Sequence, residues 1–387
     1  MTKDASLHNV PSLRFPEFSG EWGKVVLSSA CEINPKTDSL DNQFLYIDLE
    51  SVVKGALVKR QIIEKDSAPS RAQRVLKKND ILYQCVRPYQ LNNYFFEGDT
   101  IQCVASTGYA QLRTKHNPLY IFQVLHTKQL TNQVLERCTG TNYPAINSSD
   151  LGTIEVPICS LPEQEKIGSL LALIDSRIKT QSKIIEELTT LRSALLEKVF
   201  QASHTAIEIG SFVHQTSERN KLCRHSNVLS VSNRFGFINQ SEQFEDRNVA
   251  SDDVRNYKVV HRGDFAYNPA RINVGSIAML KRFESGIVSP MYICFRIDDS
   301  AVDPSFFELF FESKAFKDEM EIRLEGSVRR CLSFEAMCGI HIPCPTILEQ
   351  RSISDKIGRI FSKIELEDSI LKAYISQKNW LLKHMFI

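Results

Sequence analysis

The sequence predicts an α+β protein built twice over, in which a mixed α/β segment and a long helix are followed by a second mixed segment and a second long helix. Three observations carry this. The chain repeats itself at an offset of 186 residues. Two stretches of about 39 residues show the apolar spacing of long paired helices. The segments before them alternate in short apolar runs bounded by turn residues.

The repeat appears when the chain is slid on itself, a comparison that has to precede any other reading of the fold. At 186, Gly140 falls on Gly326, Ile154 on Ile340, Pro157 on Pro343, Glu163 and Gln164 on Glu349 and Gln350, and Ile167 on Ile353. The match runs on through Ile174 and Ile360, Ile178 and Ile364, Leu195 and Leu381, to Phe200 and Phe386. Upstream the offset drifts to 184 and 183 as loops change length. There Asp80, Tyr83 and Arg87 meet Asp264, Tyr267 and Arg271, while Ser106, Tyr109 and Arg113 meet Ser289, Tyr292 and Arg296.

The elements follow in order. Residues 22 to 159 form the first mixed segment, with alternation from Phe44 to Val53 predicting strands and Pro118 to Arg137 predicting a helix. The first long helix opens on a capping box, Ser160-x-x-Glu163, with Pro162 in the first turn, where a missing donor costs little. Its seam is Ile167, Leu171, Ile174, Ile178, Ile185, Leu188 and Leu195. Residues 206 to 345 form the second mixed segment, with strands from Ile287 to Ile297 and a helix from Pro304 to Glu325 that buries Phe306, Phe307, Phe310 and Phe311. The second long helix opens on Thr346-x-x-Glu349 and carries the seam Ile353, Ile357, Ile360, Ile364, Leu371, Tyr374 and Leu381. The seams are interrupted in register, by Gln181 and Arg192 in the first copy and Glu367 and Lys378 in the second, as polar residues that set register would be. At 1.5 Å per residue each helix reaches roughly 58 Å, a spacer length rather than a core length. The chain therefore divides at 1–160, 161–202, 203–345 and 346–387.

Composition narrows the function. With 42% hydrophobic and 24% charged residues, 16 Gly and 14 Pro in 387 residues, the chain is neither collagen-like nor low-complexity. Forty-seven Lys and Arg against 46 Asp and Glu leave +1, so any nucleic-acid role must rest on local patches. The ten cysteines include no C-x-x-C pair, and the N-terminus lacks the apolar core of a signal peptide, which predicts a soluble chain in a reducing cytoplasm. Cys338, His341 and Cys344 lack the second pair that a structural zinc site needs, so no metal is expected.

Catalytic signatures are missing. The chain holds no phosphate loop, dinucleotide fingerprint, H-E-x-x-H or G-x-S-x-G. Tyr267-Asn268-Pro269-Ala270 and Asn142-Tyr143-Pro144-Ala145 mimic an amino-methyltransferase motif but lack its second proline and aromatic, and Glu312-Ser313-Lys314 has no acidic partner for a nuclease. No catalytic residue is assigned. What the mixed segments do hold is hydrogen-bond donors interleaved with aromatics on predicted loops. In the first these are Ser70, Arg71, Arg74, Arg87, Tyr89, Gln90, Asn92, Asn93, Thr141, Asn142 and Tyr143; in the second, Asn268, Arg271, Asn273, Ser327, Arg329 and Arg330. Arg can bridge guanine O6 and N7, and Asn or Gln can bridge adenine N6 and N7, so such loops suit base reading. Surface arginines paired with carboxylates are the competing explanation. Correspondence favours reading, since Arg87 and Arg271 share one repeat position while their neighbours differ.

These features resemble the DNA-specificity subunit of type I restriction-modification enzymes over almost the whole chain. The resemblance is carried by Pro11-Ser12-Leu13-Arg14-Phe15-Pro16-Glu17-Phe18 with Trp22, by Val156-Pro157 and Leu161 to Ile167, by Tyr267 to Gly275 and Val288 to Tyr292, and by Leu348-Glu349-Gln350. It implies two target recognition domains separated by an antiparallel coiled coil. The target would be double-stranded DNA with two short half-sites and an unread gap set by helix length. It also implies partners that supply the chemistry: two methylation subunits bringing S-adenosylmethionine and flipping adenine, and restriction subunits using ATP and Mg for translocation and cleavage. The chain itself would be a non-catalytic subunit in the bacterial or archaeal cytoplasm. A purely structural coiled-coil adaptor and a self-sufficient DNA methyltransferase are the alternatives.

Overall fold

The computed structural model describes residues 9–37, 39–202, 204–233, 235–240, 253–326 and 330–387. The chain is α+β and forms two compact units, residues 1–183 with 367–387, and residues 184–366.

In the first unit two four-stranded sheets make the body. One runs in the order Gln61–Glu64, Gln43–Ile47, Cys103–Ser106, Ala72–Val75, with Cys103–Ser106 parallel to Gln43–Ile47. The other runs Cys31–Ile33, Tyr109–Thr114, Ile81–Gln84, Tyr94–Phe95, antiparallel throughout. Ile81–Gln84 is buried on both faces: Ile81 and Tyr83 join a core with the helices, while Leu82 joins Tyr109 and Leu45 in a second core. That is why its sequence reads as a continuous apolar run. In the second unit the central sheet is Val213–Thr216, Ile293–Ile297, Phe265–Tyr267, Ile277–Met279, with the pair Lys258–His261 and Ser285–Val288 beside it in the chain.

One turn is built identically in both units. Asp80 is buried and grips Arg113 with both carboxylate oxygens, at 2.8 and 2.7 Å. Asp264 grips Arg296 in the same way. The same aspartates accept the amides of Lys77 and His261, and the residues before them, Asn79 and Gly263, adopt left-handed φ values of 71° and 89°. Each pair thus ties a tight turn to the neighbouring strand, and each was visible in the sequence as two matched positions without being visible as a contact.

The single helices expected from Pro118 to Arg137 and from Pro304 to Glu325 are each two. Asn117 caps Pro118–Val124, and Thr127 restarts the chain as Lys128–Arg137. Asp303 caps Pro304–Glu312, and Ser313, in an extended conformation, caps Lys314–Arg323 by accepting from Phe316 N at 3.1 Å. Ser and Thr compete for backbone bonds in this way and favour caps over helix interiors. Phe306, Phe307, Phe310 and Phe311 are all buried.

The long helices are Leu161–Gln201, 41 residues, and Ile347–His384, 38 residues. In the first unit residues 161–183 run antiparallel to 367–384, with Gln181 hydrogen-bonded to Glu367, its own repeat counterpart, and Asp175 paired with Lys378. In the second unit Arg192 lies over Phe361 at 5.4 Å and pairs with Glu312. Seam residues beside the mixed segments are buried: Ile167, Leu171, Ile174 and Leu381 in one core, Ile357 in the other. Ile178, Ile185, Leu188, Leu195, Ile353, Ile360, Ile364, Leu371 and Tyr374 are half-buried, because a helix pair covers one stripe of each partner and leaves the flanks to water.

The two helix starts differ from each other and, in one case, from expectation. Thr346 and Glu349 form the capping box, with Thr346 N donating to Glu349 Oε2 at 2.9 Å. Glu163 does not reach back to Ser160. Its buried carboxylate takes Arg14 Nε at 2.7 Å and Nη2 at 2.9 Å instead, because the N-terminal segment packs there. Leu13 N donates to His384 O at 2.8 Å, and Trp22 is buried against Tyr120 and Phe386. Beside each start a buried glutamine docks helix to mixed segment. Gln164 Oε1 accepts Asn117 N and its Nε2 donates to Cys159 O; Gln350 does the same with Asp303 N and Pro345 O. Among the described residues no helix is long and apolar enough to cross a membrane.

Candidate nucleic-acid interface

In each unit the chain leaving the strand with a buried tyrosine, Tyr83 in Ile81–Gln84 and Tyr267 in Phe265–Tyr267, meets a hairpin that precedes the long helix. In the first unit Thr139 and Ala145 exchange both backbone bonds at 2.9 Å, Ile146 N donates to Cys85 O at 3.0 Å, and Arg87 N donates to Pro144 O at 2.8 Å. In the second unit Glu325 and Cys331 exchange bonds at 2.9 and 2.8 Å, and Leu332 N donates to Pro269 O at 3.2 Å. Gly140 and Gly326 turn the hairpins at φ values of 89° and 104°, and a Cβ on Gly140 would stand 3.1 Å from Tyr143 O. Glycine is required at such a turn.

The hairpin and the loop place Arg87 over the Tyr143 ring, 4.4 Å from its centroid, with Tyr143 64% exposed. Thr141 and Asn142 are exposed at the tip, and Tyr89 is half exposed. Ser70 and Arg71 are exposed at the start of Ala72–Val75, and Arg74 lies within it, part-buried. Strand and loop meet through the turn between them: Thr107 N donates to Arg71 O, and Cys85 N to Gly108 O.

Not every donor singled out in the sequence faces outward. Asn93 is 1% exposed and its Oδ1 accepts Gln84 N at 2.9 Å, so it holds the loop and cannot reach a base. Its Nδ2 lies 3.5 Å from Nε2 of His126, whose pKa burial and the Lys378 ammonium push down to about 4. Gln90 Oε1 accepts Gln84 Nε2, and Asn92 Oδ1 accepts Lys54 N. The Asn93 and Asn92 oxygens are thus spent on backbone amides, Gln84 N and Lys54 N, while the exposed Gln90 bonds a side chain, in a loop that holds two left-handed residues, Arg87 and Leu91.

In the second unit Asn268 is nearly buried, with Oδ1 on Ala270 N at 3.1 Å and Nδ2 towards Met291 Sδ at 3.6 Å. Arg271 and Asn273 are exposed on the turn that ends at Gly275, φ 85°. Asn268 and Arg271 border a cleft of about 320 Å³ with Ser289, Met291 and Tyr292. Ser327 and Arg329 lie outside the described residues. Arg330 is engaged, pairing with Glu321 at 3.2 Å and donating to its carbonyl at 2.8 Å.

Electrostatics separates these loops from the rest of the surface. Residues 70–74, 85–93, 139–145 and 268–276 contain no Asp or Glu in a chain that has 46. Arg71, Arg74, Arg87 and Arg271 meet no carboxylate among the described residues, unlike Arg14, Arg60, Arg113, Arg192, Arg262 and Arg296. Local positive charge is therefore compatible with a net charge of +1. The arrangement offers guanidinium, amide and hydroxyl donors with exposed aromatic rings, and it suits binding of an anionic, hydrogen-bonding polymer.

Residues 20–190 match the family described as type I restriction modification DNA specificity domain. The chain is 26% identical over 169 residues to the type I restriction enzyme HindI specificity subunit of Haemophilus influenzae, covering 42% of this chain and 34% of that one. It is 24% identical over 280 residues to the MjaVIII specificity subunit of Methanocaldococcus jannaschii, covering 64% of each. The matches thus span about a third to two thirds of the length of these relatives. In fold it is similar to the crystal structure of the type I restriction-modification S subunit from M. genitalium, with TM-score 0.61, 16% identity, and 98% and 99% of the two chains covered. It is also similar, at TM-score 0.53 and 18% identity over 94% and 97% of the chains, to a chain solved for complex assembly and conformational transition of the type I R-M system.

Proposed function

We propose that this chain, a relative of the type I restriction-modification specificity subunits, is the DNA-reading subunit of such a complex and performs no chemistry itself. Residues 1–160 and 203–345 each read one half-site of a bipartite double-stranded target. The helices over 161–202 and 346–387 set the unread gap and carry two methylation subunits, with restriction subunits joining them. S-adenosylmethionine, ATP and Mg belong to those partners. The observation that supports this best is the matched pair of acid-free loops, placed by the same hairpin contacts in both units, with Arg87 and Arg271 at one repeat position. One scaffold used twice with different loop residues is what two different half-sites require.

The test is a single-molecule methylome of cells that carry this chain with its neighbouring methyltransferase, against cells lacking the chain. The expected result is a bipartite adenine-methylated motif that vanishes with the chain. Identical methylomes, together with no sequence preference in a DNA selection by the assembled complex, would leave a structural adaptor.

A further inference from the structure

Arg74 and Lys258 hold the same place in the two copies. Arg74 stands opposite Ala105 and six residues before Asp80; Lys258 stands opposite Val288 and six residues before Asp264. Their fates differ. Lys258 Nζ donates to Tyr292 O at 2.6 Å, so its charge is spent inside the fold. The Arg74 side chain makes no hydrogen bond or ion pair among the described residues, and its Nε is enclosed with no partner. Burial pulls its pKa down from the ordinary guanidinium value. An enclosed donor left unmade destabilises the folded chain, and the guanidinium that carries it keeps Nη1 and Nη2 for an acceptor from outside the fold.

Geometry limits what that acceptor is. Ala72–Val75 is the edge strand of its sheet, hydrogen-bonded on one side to Cys103–Ser106, so the backbone that aims Arg74 is fixed. With Nε walled in, Nη1 and Nη2 are the guanidinium donors left open, side by side in one plane. That pair matches O6 and N7 on the major-groove edge of guanine. The same fork also fits a phosphate, a contact that exposed Arg71, three residues away, is free to make in its place.

We propose that Arg74 reads a guanine, end-on and bidentate, in the half-site bound by the first unit, and that Lys258 reads no base in the second. This rests on the DNA-reading function proposed above. The test uses the assembled methyltransferase and duplexes carrying its motif, with each guanine in turn replaced by 7-deazaguanine, which lacks the N7 acceptor. Methylation kcat/KM is measured for the wild type, Arg74→Lys, Arg74→Met and Lys258→Met. The expected result is one guanine in one half-site whose replacement slows the wild type about tenfold, the order of a bidentate base contact, and leaves Arg74→Met unmoved. Arg74→Met and Arg74→Lys should both accept other bases at that position while keeping full discrimination at the other half-site. Lys258→Met should keep the whole motif. A rate lowered evenly across all sequences, with a shallower salt dependence, would make Arg74 a phosphate contact and overturn the inference. So would a motif in which every 7-deaza duplex is methylated normally by the wild type, a result that needs no variant to fold. A wild-type complex without any bipartite motif would instead remove the DNA-reading premise, and the inference with it.

Discussion

The first and second units solve one mechanical problem with different residues, and the positions where they differ show what the scaffold demands. Under each short helix of the mixed segment a cation from a long helix must be neutralised. In the first unit Lys378 is met by Asp175 on the facing long helix, and Asp175 also accepts from Gln123 at 2.7 Å. In the second unit the cation is Arg192, the counterpart of Lys378, and the counterpart of Asp175 is Phe361. The carboxylate has moved to Glu312 on the mixed segment, at 2.7 Å, and Phe361 offers its ring face instead. Glu312 in turn stands where the first unit has His126, which is held neutral beside Lys378. The fold thus fixes where a positive charge sits and leaves open which neighbour answers it. By contrast the Asp80–Arg113 and Asp264–Arg296 pairs, and the Gln164 and Gln350 docks, are kept atom for atom. Turns and docks that shape the backbone admit one solution, while a solvent-bordered charge admits several.

The largest test of this comparison is at the helix starts. Arg14→Ala leaves the Glu163 carboxylate, 1% exposed, without its partner, and should cost about 2–4 kcal/mol of stability in urea unfolding, as breaking a buried pair does. A cost no larger than that of Glu349→Ala, in the exposed box of the second copy, would mean that the N-terminal segment does not hold the first helix. Next come the seam cations. Lys378→Met leaves Asp175, 31% exposed, with the neutral Gln123 alone and should cost about 1–2 kcal/mol, whereas Arg192→Met isolates the more exposed Glu312 and should cost under about 1 kcal/mol. Equal costs would erase the distinction drawn between the two units. The smallest effect is a pH dependence. Hydrogen bonds from Thr346 hold the Glu349 carboxyl below its ordinary pKa. A carboxyl lowered in the folded state stabilises above the unfolded value, near 4.3, and that contribution fades as pH falls through the folded value. Thr346→Val should therefore flatten the acid limb of the melting curve slightly, and Ser160→Val should not.

Much of this was legible along the chain. Both long helices announce themselves by period and start signals, and the repeat carries the fold class, because periodicity and self-similarity are properties of residues close in sequence. The breaks at Thr127 and Ser313 were not legible, since a lone hydroxyl residue inside a helical pattern can face solvent or cap a new helix, and only the packing of the two short helices decides. Among the loop donors the residue types were readable and their availability was not. Asn93 and Asn92 look like Asn142 in the sequence, yet the fold spends the oxygens of the first two on the backbone amides of Gln84 and Lys54 and leaves Asn142 exposed at the hairpin tip.

By itself the sequence determined two copies of one scaffold, their helices, and loops free of Asp and Glu. Only the tertiary structure decided which arginines those loops leave unpaired. Arg14 finds Glu163 across 149 residues and Arg113 finds Asp80 across 33, while Arg74 and Arg87 find no carboxylate among the described residues. The reason is that an ion pair depends on a few ångströms of separation and on local desolvation, quantities the fold sets for residues that the chain keeps far apart.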